Sequence, residues 1–139
     1  MSRLAVLLAV LAVVALAAVW RRSREGRLQS TASPPISLRA LGVPPGVAAL
    51  VEFTAPHCAP CTAARRILDQ VAARHSVAVV PVDVSSALDL ARAHHVLRTP
   101  TTFVVAADGS VHGRVSGVPD PADLARLLAS MDAPGHPAG

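Results

Sequence analysis

Val51-Glu52-Phe53-Thr54-Ala55-Pro56-His57-Cys58-Ala59-Pro60-Cys61 runs from an apolar segment straight into a paired-cysteine turn. Residues 47–53 are apolar except for Glu52, as a strand buried on both faces of a parallel sheet requires. Cys58 and Cys61 are the only two cysteines in 139 residues. At this spacing they can close a small, reversible disulfide across a first helical turn. So short a loop barely restricts the unfolded chain, which makes the pair a poor staple. It points to thiol–disulfide exchange.

Downstream, strand and helix patterns alternate. Residues 61–74 read as a helix, with Ala64, Ile67, Leu68 and Val71 on one face and Arg65, Arg66, Asp69 and Arg74 elsewhere. Residues 76–84 read as a strand that either ends at Pro81, which lacks a ladder donor, or runs near an edge. A short helix follows at 85–96, opened by Ser85-Ser86. Residues 101–106 and 110–115 form a hairpin around Ala107-Asp108-Gly109, whose Asp-Gly is a strong turn signal. Asp120-Pro121 opens a last helix to about Met131, with Leu124, Leu127 and Leu128 inward. A tail at 132–139, rich in Pro and Gly, is expected to be disordered. There are no internal repeats.

Upstream, residues 4–20 are seventeen apolar residues without a break, LAVLLAVLAVVALAAVW. At about 1.5 Å per residue they reach roughly 25 Å, the short end of what spans a bilayer. Trp20 with Arg21-Arg22 forms an interfacial anchor. The competing reading is a cleaved signal peptide, for which Ala15-Leu16-Ala17 resembles a cleavage site. Continuation of the apolar run to Trp20, and the arginines beyond it, favour an uncleaved transmembrane anchor at 1–20. A basic, Pro-containing tether at 21–35 then leads into a folded domain at 36–131.

Charge is divided the same way. All thirteen basic residues are Arg. Residues 1–30 hold five of them against Glu25 alone, a net of +4, whereas residues 31–139 hold eight Arg and eight acids, a net of zero. The basic balance therefore argues for a lipid surface and not for nucleic acid. Only Trp20, Phe53 and Phe103 are aromatic, too few for a base-stacking platform. Four arginines follow the span and one precedes it, so the positive-inside rule puts the domain on the cytoplasmic face of the plasma membrane. Use of tethered redox domains outside the cytoplasm is the competing expectation.

The order strand–CxxC–helix–strand–helix–hairpin–helix resembles the thioredoxin family over roughly residues 45–130. Residues 51–61 look like its active-site strand and turn, Arg98-Thr99-Pro100-Thr101 like its cis-proline loop, and Val115-Ser116-Gly117 like the glycine after its hairpin. The chain departs from thioredoxin at His57, where Trp is usual, at Ala59, where Gly is usual, and in an N-terminal strand–helix unit cut to 36–42. The resemblance implies an α/β thioredoxin-like fold, a central mixed sheet flanked by helices, behind the transmembrane helix. It also implies a cis Thr99–Pro100 bond, with the Thr99 backbone pairing to an extended substrate and Pro100 keeping metal ions from the thiols.

The residues carry their own chemistry. Attack on a disulfide requires a thiolate, and a free cysteine is mostly protonated at neutral pH. A sulfur at a helix start meets unpaired N–H groups and the positive dipole end, which lower its pKa. Cys58 is therefore read as nucleophile and Cys61, one turn on, as resolving thiol. Glu52 interrupts an apolar strand; a buried carboxyl has a raised pKa and suits proton transfer from Cys61. The resemblance agrees, since the family keeps a buried acid, usually Asp, six residues before its first cysteine. The plainer alternative leaves Glu52 in solvent at the strand's end. His57 can stabilise the thiolate by charge or simply stand exposed at the substrate rim. Arg65 and Arg66 read as a solvated helix face, and His94-His95 as helix-end residues.

The expected function is a membrane-tethered thiol–disulfide oxidoreductase, monomeric and without cofactor. It would reduce protein or small-molecule disulfides with electrons from a reductase. CxPC resembles reducing thioredoxins more than the oxidants, which carry His before the second cysteine. The alternative is copper handling through Cys58, Cys61 and His57. Met1 and Met131 offer no Met-rich cluster to support it.

Overall fold

The apolar run around Val51 forms an interior strand of a sheet, with both of its faces covered. The computed structural model describes residues 2–132. In chain order it contains α1 (Ser2–Arg24), β1 (Leu28–Gln29), a 3-10 turn (Arg39–Leu41), β2 (Ala49–Thr54), α2 (Ala59–His75), β3 (Ala78–Asp83), α3 (Leu88–Ala93), β4 (Thr101–Val105), β5 (Val111–Ser116) and α4 (Pro121–Asp132). The sheet order is β1-β5-β4-β2-β3. β2 pairs parallel with β3 and antiparallel with β4, so the sheet is mixed.

Period-2 alternation divides the core into two layers. Ala49, Val51, Phe53, Phe103 and Val105 face one side with Ile36, Leu38, Val82 and Ala91. Leu50 and Val104 face the other with Leu68, Val71, Leu124 and Leu128 of α2 and α4. Phe53 and Phe103 meet edge to face, ring centroids 5.6 Å apart. Glu52 and Thr102 are register partners on the α2 side.

Most sequence-derived elements sit where expected, with instructive differences. Pro81 lies within β3 and is tolerated because β3 is the sheet edge. α3 begins at Leu88, not Ser85. Ser85 N and Oγ both donate to Asp83 Oδ1, so the serines close a turn after β3 instead of opening the helix. The hairpin turns at Gly109, φ +90°, where an added Cβ would meet Ile36 O at 2.8 Å. Asp120 Oδ1 accepts from Ala122 N and Asp123 N, capping α4.

The segment 21–35, read as a basic, Pro-containing tether, contains the end of α1 and a short strand. α1 continues through Arg24, and Leu28 and Gln29 pair antiparallel with Val115 and Arg114 of β5. Two residues in a polar stretch give no periodicity from which to foresee this strand. Residues 36–42, where a shortened strand–helix unit was expected, form only the 3-10 turn, with Ile36 N donating to Gly109 O. Residues 133–139 of the expected tail lie outside the described residues. The apolar side chains of α1 are exposed along its length. Its Arg3–Arg24 stretch is long and apolar enough for a membrane span or a signal sequence.

Candidate active site

α2 starts two residues earlier than its apolar periodicity suggests, and this brings Cys58 to the helix end. Cys58 is the N-cap (φ −93°, ψ 97°), and its Sγ accepts from Cys61 N at 3.3 Å. Pro60 occupies the first turn, where a missing N–H costs nothing. Cys58 and Cys61 are joined as a disulfide, with Cα atoms 5.2 Å apart. Cys61 is buried while Cys58 is half-buried, so the two sulfurs differ in access. His57, the residue before, adopts φ 57° and is exposed.

Across from Cys58 lies the loop into β4. The Thr99–Pro100 peptide bond is cis. Thr99 Oγ1 lies 3.8 Å from Cys58 Sγ. Thr101 Oγ1 donates to Arg98 O at 2.7 Å, and Gly117 N donates to Pro100 O at 2.8 Å, which holds the loop from both sides.

Beneath the turn, Glu52 is 1 % exposed, so it does not reach solvent at the strand's end. Burial pushes its carboxyl above the ordinary value. The hydrogen bond and charge of Arg65 offset part of that shift, and Asp69 adds a little to it. Arg65 Nε donates to Glu52 Oε2 at 2.8 Å. Glu52 Oε1 and its register partner Thr102 Oγ1 have no hydrogen-bond partner among the described residues. Glu52, Cys58, Cys61, His57 and Arg65 line one open groove of about 670 Å³. The structure thus brings Cys58, Cys61, Glu52 and His57 to one groove and sets Thr99 beside Cys58 Sγ.

Arg65 is the residue that sequence reasoning misplaced on a solvated face. Its position four residues after Cys61 was the available signal, since i and i+4 share a helix face. His94 is a second difference: it ends α3 as expected but is buried on Phe103, ring centroids 5.6 Å apart. Burial, with His95 and Arg114 nearby, holds its pKa below the ordinary value. Among the described residues no group of three or more His, Cys, Asp or Glu side chains is arranged to hold a metal ion.

A mutant thioredoxin from Halobacterium salinarum is 27% identical, with TM-score 0.62, over 76% of this chain and 99% of that one. Chloroplastic thioredoxin z is 25% identical, TM-score 0.57, over 75% and 97%. Mitochondrial thioredoxin 3 of Saccharomyces cerevisiae, at 23% identity and TM-score 0.55 over 67% and 86%, shares the fold. No curated protein sequence matches the chain significantly. The thioredoxin family model matches residues 45–130. That span holds the disulfide-capable pair, the cis-proline loop and the buried acid, and at family level it supports thiol–disulfide oxidoreductase activity; the chain belongs to the thioredoxin family.

Proposed function

We propose that the protein is a membrane-tethered thiol–disulfide oxidoreductase that reduces protein disulfides through a Cys58/Cys61 dithiol relay. The observation that carries this reading is the placement of Cys58 Sγ at the N-terminus of α2, opposite Thr99 and in one groove with buried Glu52. In the reduced pair the Cys58 thiolate attacks a substrate disulfide, and a mixed disulfide forms as a substrate thiolate leaves. Cys61 then loses its proton to Glu52 and attacks Cys58 Sγ, freeing the second substrate thiol. The Thr99 backbone, held by cis Pro100, pairs with the extended substrate chain, and His57 stands at the rim. A reductase restores the dithiol.

Residues 4–20 anchor the chain in the plasma membrane, and residues 36–131 carry the redox domain on the cytoplasmic side. Full-chain protein should reduce insulin disulfides with dithiothreitol as electron source. Cys58→Ser should abolish turnover, and Cys61→Ser should trap a mixed disulfide through Cys58. Turnover by Cys58→Ser, or trapping through Cys61 in that variant, would overturn the assignment.

A further inference from the structure

The end of α1 is fastened to the loop that carries Pro100. Arg98 Nη1 donates to Glu25 Oε1 at 2.7 Å. Gly26 N donates to Ser116 O at 2.9 Å, and Asp120 N donates to Gly26 O at 3.2 Å. Gly26 has φ +76°, and an added Cβ would lie 2.5 Å from Val118 O, so this docking requires glycine. Arg98 precedes Thr99, whose Oγ1 is 3.8 Å from Cys58 Sγ. One ion pair and one peptide link therefore separate the helix end from the residue facing the reactive sulfur.

There is no slack between Trp20 and this dock. α1 is continuous to Arg24, and Glu25 N still donates to Arg21 O at 3.2 Å. Five residues at about 1.5 Å each carry the chain roughly 7 Å past Trp20. The polar layer on each side of the hydrocarbon is about 5–8 Å deep. A Trp seated at the interface, with the Arg24 guanidinium 4.1 Å from its ring centroid, leaves Glu25 and Arg98 at the outer edge of the headgroups.

We infer that the Cys58–Cys61 site is held against the membrane surface and takes disulfides of partners anchored in the same bilayer, with cysteines close to their own spans. This rests on the reading of α1 as a membrane span and of the pair as a reductant. The docked helix denies the domain the reach of a flexible tether. A partner confined to the same surface meets the groove at a high effective concentration. In each turnover Cys58 attacks the partner's disulfide and Cys61 displaces it. The partner gains two electrons and two protons, and the chain is left as disulfide. An external dithiol, dithiothreitol in the assay, restores it.

The test uses the full chain in phosphatidylcholine–phosphatidylglycerol vesicles, domain outward. The probe is a single-span peptide bearing a disulfide loop either directly outside its span or beyond a flexible spacer of about 30 residues, roughly 30 Å. The near loop should be reduced about tenfold faster than the far one. Gly26→Val and Glu25→Arg, which undock the helix end by different means, should each bring the ratio toward one while leaving reduction of the detached soluble loop unchanged. Equal near and far rates, from protein that floats with vesicles and reduces the soluble loop, overturn this inference alone. Failure to float overturns the anchor and the inference with it, and floating protein that reduces no loop overturns the redox reading.

Discussion

Glu52 is a carboxyl whose environment is divided against itself. Its burial favours the neutral form, while Arg65 favours the charged one; burial prevails, and the pKa is raised. In the folded chain the proton is thus held above the pH at which the unfolded chain releases it. Between those two values the folded state binds more protons, so stability falls as pH rises through the window above 4.5. Glu52→Gln should remove that slope and leave the oxidised protein more stable than wild type at neutral pH, as pH-dependent melting would show. As a base Glu52 acts only when ionised, so mixed-disulfide resolution should slow as pH drops through the raised pKa. Arg65→Met, lacking the offsetting cation, should move that acid limb to higher pH. Glu52→Gln should slow resolution and spare initial attack, and stopped-flow rates equal to wild type in both steps would return Glu52 to a structural role. Cys58, at the α2 N-terminus, is expected to titrate below the free-thiol range in a Cys61→Ser variant, and Cys61 not to do so in Cys58→Ser. Thiolate absorbance reads both, and a Cys58 value at or above the free one overturns the assignment.

At the scale of elements, what could be read in advance depended on how local its cause was. β2 was readable because an uninterrupted apolar run has few other uses, and α4 because Asp120 and Pro121 mark its start. Asp120→Ala, leaving two backbone donors without their side-chain acceptor, should cost about 1 kcal/mol of stability in denaturant unfolding. Phe103, packed on Phe53, His94 and beneath Arg114, should cost about 3–5 kcal/mol on replacement by Ala. The misses differ in origin, one being local and the rest tertiary. Ser85 and Ser86 look like a helix opening until Asp83 is seen to engage Ser85. β1 exists only because β5 offers an edge. In the site, Cys58, Cys61 and Glu52 were legible from spacing and from polarity out of place. The partnership of Arg65 with Glu52 depends on how α2 packs over β2; the i+4 spacing from Cys61 marks the helix face but not the partner. Glu25–Arg98 spans 73 residues and was equally hidden.

For the whole molecule, the segregation of charge poses the question of sidedness. Arg21, Arg22, Arg24 and Arg27 follow the apolar stretch and Arg3 alone precedes it, while residues 31–139 are neutral. Each arginine near an anionic leaflet contributes roughly 1 kcal/mol, and together they oppose passage of the following chain across the bilayer. Membrane-fraction protein should therefore retain residues 4–20 by mass, and cleavage after Ala17 would make the segment a leader instead. A reporter active only in the cytoplasm, fused at the C-terminus, should be active, and one active only outside should be silent. On the cytoplasmic side the soluble reducing pool can supply electrons, so the Cys58–Cys61 pair should rest as dithiol in cells, as alkylation before lysis would reveal. An outward-facing domain would instead need an electron carrier within the membrane and would rest with its disulfide closed. The reversed reporter pattern would overturn the sidedness and leave the exchange chemistry intact, because Cys58, Cys61, Glu52 and Thr99 keep the same geometry on either face of the bilayer.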